Sequence, residues 1–452
     1  MVNVGHQQKI SVATAITKGD LQTKLSIPIM GFGIFAKGQR IKGAIVFLIE
    51  IAFLLFMATF GNTALAKLPS LGGAAQEKVW NEAKQIYEYT AGDNSQLILL
   101  YGVVTCFAIV AIIVLWILQI KHSYKLELLK KNGKKIPGFI EDIKELFNKN
   151  LYITLMSLPC IGILLFNIIP LVYMISMAFT TYSKEDEQLQ LFKWNGFTQF
   201  ARVLNLGGNI GRQFWQVLLW TIIWAFFATF LNYILGMILA MVINRKDTKI
   251  KGFWRFCFVL SVAVPQFISL LIMRIMLQPQ GAVNVVLQNM GIISAPLPFW
   301  TDAMWARVTI IIINLWVGIP YTLLQVTGIL QNIPAELYEA AKVDGANPVT
   351  IYFKITLPYM LFVTTPYLIT TFVGNINNFN IIYLLSGGGP TAVGDTAGKT
   401  DLLVTWLYKL TIDQQYYNLG AVIGILTFVI LTIVTLTTYR RSGSYKNEEA
   451  FM

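Results

Sequence analysis

Long apolar runs separated by short polar stretches dominate the chain. Eight of them, at 43–60, 97–120, 151–180, 214–243, 256–277, 308–330, 359–385 and 419–439, match the length a helix needs to cross a hydrocarbon core. That core is about 30 Å thick and takes roughly 20 residues of helix. Within it no backbone polar group can stay unpaired, so runs of this length are helical. The pattern predicts an all-α integral membrane protein with eight transmembrane helices. The stretch 25–35, which holds Pro28 and several glycines, is too short to span and is expected at the membrane interface. The longest outer loops, 61–96 and 182–213, can form a small cap but not an enzyme domain.

Charge sets the orientation. Of 35 Lys and Arg, 24 fall in the N-terminus, the even-numbered loops and the C-terminus, 10 in the odd-numbered loops, and Arg274 inside the fifth run. Basic residues are retained on the cytoplasmic side, so both termini are expected in the cytoplasm of a multi-pass cell-membrane protein. Acidic residues divide 11 and 11, with Glu50 in the first run, so the net charge of +12 sits almost wholly on the inner face. It therefore reads as a topology signal and an attraction to anionic membrane lipid, not as nucleic-acid binding. The basic run Lys130, Lys131, Lys134 and Lys135 fits the same reading. The first 42 residues contain six basic residues and no long apolar core, so no cleavable signal peptide is expected.

Composition narrows the chemistry. Only 13% of the 452 residues are charged, against roughly 25% in soluble domains, and the mean hydropathy is +0.60. Cys106, Cys160 and Cys257 lie in apolar runs without pairing or ligand spacing, and are expected as small core hydrophobes. His6 and His122 are the only histidines, so neither metal nor cofactor is expected. The segment G-D-T-A-G-K-T at 394–400 is not a phosphate loop, because three residues separate its glycines where four are needed. The chain is therefore not expected to hydrolyse ATP, and no catalytic residue is assigned.

One inner loop departs from the charge pattern, with two lysines against Glu336, Glu339 and Asp344. Pro334 suits a first helical turn, the two glutamates follow near the positive helix end, and Gly345 permits a left-handed stop. These residues predict a short surface helix over 335–344. Ala340 and Ala341 are small enough to let another protein surface approach closely.

Glu339, Ala340, Ala341 and Gly345 form E-A-A-x-x-x-G, followed by I-x-L-P at Ile355, Leu357 and Pro358. This resembles the E-A-A loop of ABC importer permeases. N-L-W-V-G-I-P-Y at 314–321, N-I-N-N-F at 375–379, L-L-S-G-G-G-P at 384–390 and T-D-L-L-V at 400–404 extend the resemblance to the MalF-type permease subunits of maltose and maltodextrin importers. The likeness is best from about 151 to the C-terminus. It implies an ABC permease fold with a cytoplasmic coupling helix, in which Glu339, Ala340, Ala341, Asp344 and Gly345 meet the ATPase. It also implies as partners a second, MalG-like permease subunit, an ATPase dimer and an extracellular sugar-binding lipoprotein. The chain then divides into an N-terminal segment (1–42), two helices with a basic loop (43–150), a six-helix permease core (151–439) and a tail (440–452). Gram-negative members carry a large domain between the third and fourth spans; here that loop has 33 residues, as in the Gram-positive form.

An uncharged oligosaccharide calls for amides and aromatic faces at mid-membrane without fixed charge. In the seventh run Asn375 and Asn378 stand three apart, as do Asn377 and Asn380, which on a continuous helix makes two neighbouring stripes facing one sector. Thr371 extends the first stripe and Gly374 leaves room for a ring. By the same resemblance Val317, Gly318 and Tyr321 join Thr371, Gly374, Asn375 and Asn378 around the sugar. Asn377 and Asn380 read equally well as hydrogen-bonding glue between helices. Galacto-oligosaccharides are the alternative cargo. An ion-coupled secondary transporter would need inverted repeats and buried acids, yet Glu50 is the one acid in a span and reads as a structural hydrogen bonder. A glycosidase would need paired carboxylates, and the outer cluster Glu185, Asp186 and Glu187 reads as a solvated turn.

Overall fold

The computed structural model describes residues 11–89, 92–185, 189–245 and 247–441; His6, Asp186, Glu187 and the tail beyond 441 lie outside them. Among the described residues seven helices are long and apolar enough to cross a membrane, namely Arg40–Lys67, Ser95–Lys131, Leu151–Met177, Asn209–Asn244, Ala303–Leu330, Pro348–Ile376 and Tyr417–Arg440. The pair Lys251–Ala263 and Gln266–Met276, bent by 85°, makes the eighth span. Pro265 explains the bend: it lacks an N–H and pushes Val264 out of the helical region, to φ −81° and ψ 126°. Two helices show how the sequence fixes their starts. Asn94 caps Ser95–Lys131 by accepting from Leu97 N at 3.1 Å, and Asp302 caps Ala303–Leu330 by accepting from Met304 N at 2.9 Å and Trp305 N at 3.0 Å. By contacts the chain forms two compact units, one ending at Gly196 and the other starting at Phe197.

In the first unit the stretch 25–35 is folded onto the spans by polar contacts. It contributes to two short helices, Leu21–Leu25 and Phe32–Ala36. Gln119 in the second span donates to Ser26 O at 2.7 Å and accepts from Gly31 N at 3.2 Å, and Trp116 Nε1 donates to Ile27 O at 2.9 Å. Glu50 accepts from Met30 N at 2.8 Å, so this acid in the first span has a structural hydrogen bond.

A buried ion cluster closes the same region. Lys37, with a side chain 1% exposed, pairs with Asp20 at 2.9 Å and with Glu127 at 3.7 Å, and also donates to Thr23. Burial pushes the Asp20 carboxyl up, but the Lys37 ammonium and the Thr23 N–H outweigh it and hold the pKa at about 2. Its folded value lies below the unfolded one of about 3.9. The stabilisation is therefore complete above that value and is lost as pH falls toward 2. Replacing one partner of such a cluster leaves a buried charge uncompensated. Lys37→Met is expected to lower stability by about 3 kcal/mol. A fall in the melting temperature of the detergent-solubilised protein, partly restored in Lys37→Met with Glu127→Gln, is the expected reading.

The three cysteines correct the sequence expectation. All are free, but Cys106, Cys160 and Cys257 are exposed faces of their helices and not core. In a membrane the outward face is as apolar as the inward one, so an apolar neighbourhood does not report burial.

Two apolar clusters of the second unit lie around its spans. Trp220, Trp224, Leu270, Ile310, Ile382 and Leu402 belong to one, and Tyr233, Met237, Leu323, Val326 and Met360 to the other. The fourth and sixth spans pack against each other through small residues. An added Cβ on Gly318 would collide with the Asn232 amide, and one on Gly236 would lie 2.7 Å from Thr322 Cβ.

Candidate functional site

Span seven is not one helix. The helix running to Ile376 stops at Asn377, with φ −96° and ψ 20°, and a separate helix Phe379–Leu385 starts with Asn378 as its N-cap. Asn378 Oδ1 accepts from Ile381 N at 3.3 Å. The second amide stripe therefore does not form: Asn377 Nδ2 bonds back to Val373 O at 3.4 Å, and Asn377 and Asn380 are exposed. The break instead turns Asn375 and Asn378 toward each other, with Asn378 Nδ2 3.4 Å from Asn375 Oδ1. Asn375 is fixed from the fourth span, since its Nδ2 donates to Thr229 Oγ1 at 3.0 Å and its carbonyl accepts from Trp224 Nε1 at 3.0 Å.

These two amides open on a cavity of about 240 Å³ between the fourth to seventh spans. Val317, Gly318, Tyr321 and Thr371 also line it, so six of the seven expected residues come together. Gly374 is not among the lining residues; it is exposed, and a Cβ there would meet nothing within 4 Å. Tyr321 is 54% exposed and so is not a packed aromatic beside Pro320. Sequence reasoning missed Asn232 and Asn314, which line the same cavity and are 7% and 4% exposed. Asn232 Oδ1 and Asn314 Nδ2 have no hydrogen-bond partner among the described residues. An amide inside an apolar run was the available signal. Among the described residues the lining contains no Asp, Glu, Lys, Arg or His. The arrangement offers donors, acceptors and an aromatic face, which suits a neutral, hydroxyl-rich ligand and provides no acid or base for bond cleavage.

The predicted surface helix is Ala335–Val343, with Pro334 as its N-cap rather than in its first turn. Asp344 caps its end, and Gly345 takes φ +73°, a left-handed turn that a residue with a Cβ adopts only under strain. Tyr338 Oη and Thr356 Oγ1, 3.2 Å apart, tie it to the seventh span. Glu339, Ala340 and Asp344 are exposed and Ala341 half-buried, with Leu337 46% and Val343 88% exposed beside them.

The segment 394–400 presents amides, but the chain itself occupies them. Gln213 Oε1 accepts from Thr396 N and Ala397 N, both at 2.8 Å, and Asp401 Oδ2 accepts from Gly398 N at 2.7 Å. Asp401 of T-D-L-L-V is fully buried and also takes Lys409 Nζ at 2.6 Å. Burial pushes its carboxyl up, and Lys409 opposes that shift. This motif residue is an anchor for the loop.

Residues 232–442 match the family model of the binding-protein-dependent transport system inner membrane component. The galactooligosaccharides transport system permease protein GanP of Bacillus subtilis is 34% identical over 429 residues, 93% of this chain and 97% of that protein. The maltodextrin transport system permease protein MdxF of the same organism is 33% identical over 444 residues, 96% of this chain and 98% of its own. The maltose/maltodextrin permease MalF of Salmonella typhimurium is 38% identical over 255 residues, covering 54% of this chain and 49% of that protein. Among solved structures, a bacterial ABC transporter for alginate import has the same fold, with a TM-score of 0.53 and 23% identity over 66% of this chain and 96% of that one. With eight spans, an uncharged cavity among four of them and relatives matched along nearly their whole length, the chain belongs to the permease subunits of binding-protein-dependent sugar ABC importers, which translocate but are not themselves enzymes.

Proposed function

We propose that this permease carries maltose and maltodextrins into the cytoplasm through the cavity of Tyr321, Asn375 and Asn378. The observation that carries the reading is the uncharged, amide-rich lining with the Tyr321 ring. Asn375 and Asn378 hold sugar hydroxyls, with Thr371, Val317 and Gly318 shaping the wall. Asn232 and Asn314 add an acceptor and a donor left open among the described residues. Gly374, outside the lining, is dropped from this set.

In this reading both termini face the cytoplasm, the residues from 151 to 439 form the translocating core, and Ala335–Val343 docks into the ATPase. Glu339 and Asp344 supply charge, Ala340 and Ala341 allow close approach, and Gly345 permits the turn. A second permease subunit, an ATPase pair and an extracellular sugar-binding lipoprotein complete the importer. The same architecture serves galacto-oligosaccharides, and the 34% identity to GanP beside 33% to MdxF favours keeping that second cargo in view.

Uptake separates them. Cells deleted for the gene and then restored are expected to lose and regain radiolabelled maltotriose, with a galacto-oligosaccharide of similar size unaffected. Loss of the galacto-oligosaccharide alone overturns the cargo and keeps the class.

A further inference from the structure

The loop between the second and third spans contains a helix that neither the sugar site nor the coupling helix uses. Phe139–Phe147 reads F-I-E-D-I-K-E-L-F over nine residues, and none of them is buried. Phe139, Ile140, Ile143, Leu146 and Phe147 recur at helical spacing and so share one face. Along that face Ile140 is 68% exposed, Ile143 38%, Leu146 40% and Phe147 62%.

Of the acidic side chains opposite, Asp142 is turned to the protein, while Glu141 and Glu145 are exposed. Asp142 accepts from Lys42 Nζ at 2.9 Å and Gln39 Nε2 at 3.0 Å, at the start of the first span. Glu141 accepts from Lys135 Nζ at 2.6 Å and Gly138 N at 2.9 Å. Leu146 O accepts from Thr154 Oγ1 at 2.8 Å, in the first turn of the third span. The first and third spans thus hold this helix beside their adjoining ends, the first at its start and the third in its first turn. Around it, residues 121–150 hold eight lysines against four acidic residues. A turn of three residues, 148–150, separates the helix from Leu151 and Tyr152, 41% and 65% exposed at the head of a span whose most apolar window is not buried among the described residues.

An apolar face at the end of two spans, amid lysines and next to a span that is largely exposed, complements an anionic bilayer surface. We propose that Phe139–Phe147 lies in the membrane plane, its Ile140 and Phe147 face among the lipid chains and the neighbouring lysines on anionic headgroups. Membrane contact of this kind anchors the second-to-third loop by its lipid, so its seating depends on headgroup charge. The leaflet involved follows from the topology proposed above; the insertion itself does not.

The test uses the assembled importer in vesicles containing phosphatidylglycerol, with the native cysteines replaced by serine and one nitroxide at a time at Ile140→Cys, Phe147→Cys or Glu145→Cys. Oxygen accessibility relative to a water-soluble nickel chelate is expected to be several-fold higher at 140 and 147 than at 145, at a depth of about 5–10 Å. In phosphatidylcholine vesicles, or with Lys130, Lys131, Lys134 and Lys135 changed to Gln, the difference is expected to shrink. Nickel reaching 140 and 147 as readily as 145 overturns the proposal. So does exclusion of both probes with an immobilised spectrum, which means a protein subunit covers the face, and so does a difference that ignores lipid charge. Labelling of 145 by a membrane-impermeant thiol reagent reads the leaflet separately.

Discussion

Glu339→Lys is expected to leave the protein in the membrane and to lower sugar uptake about ten-fold or more. Glu339 is exposed on a helix held by Tyr338 and Thr356, so reversing its charge disturbs no internal packing. What changes is the surface presented to a partner. Like charges brought together in an interface cost several kcal/mol, and each 1.4 kcal/mol is a factor of ten. The exposed Leu337 and Val343 keep the apolar part of that surface intact, so the loss isolates the charge. Co-purification of the ATPase with the tagged permease is expected to fall in parallel with uptake, and Glu339→Gln to fall less. Normal co-purification and uptake of Glu339→Lys would reject Ala335–Val343 as the coupling element.

Asn378→Leu is expected to lower maltodextrin uptake between about 5- and 150-fold while ATPase association persists. Truncating a partner of a buried hydroxyl leaves that group unsatisfied, at a cost of about 1–3 kcal/mol. Asn378 also caps Phe379–Leu385, so part of any loss is structural: about 1 kcal/mol for a missing cap. Asn378→Ser separates the two, since serine caps a helix but does not reach as far into the cavity. Its melting temperature is expected near wild type and its uptake near that of Asn378→Leu. Unchanged uptake in both variants across maltodextrin lengths would reject Asn378 as a sugar contact.

Hydropathy was a sufficient guide to the number of spans, because the cost of an unpaired backbone group in lipid leaves little else for long apolar runs to do. Punctuation sufficed for the surface helix, where Pro334 and Gly345 bound it within a residue or so of its observed ends. Facing was harder. The three-residue spacing of the asparagines presumed a continuous helix, and Asn377 ends it, so Asn375 and Asn378 meet across a break while Asn377 and Asn380 point away. Cys106, Cys160 and Cys257 show the same blindness, since lipid and core are alike apolar. Asn232 and Asn314 stood in plain view as amides in apolar runs, but only the packing of the fourth and sixth spans brings them to one wall.

The neutrality of that wall reaches beyond recognition. A unit charge carried across a bilayer gains or loses about 2.3 kcal/mol for each 100 mV of membrane potential. If the cavity is the sugar path proposed above, then with no charged side chain in its lining among the described residues a neutral sugar takes no charge through the field, and neither does the wall. The electrical state of the cell then neither helps nor hinders this step, and in the proposed coupling accumulation of the sugar rests on the chemical work of the nucleotide.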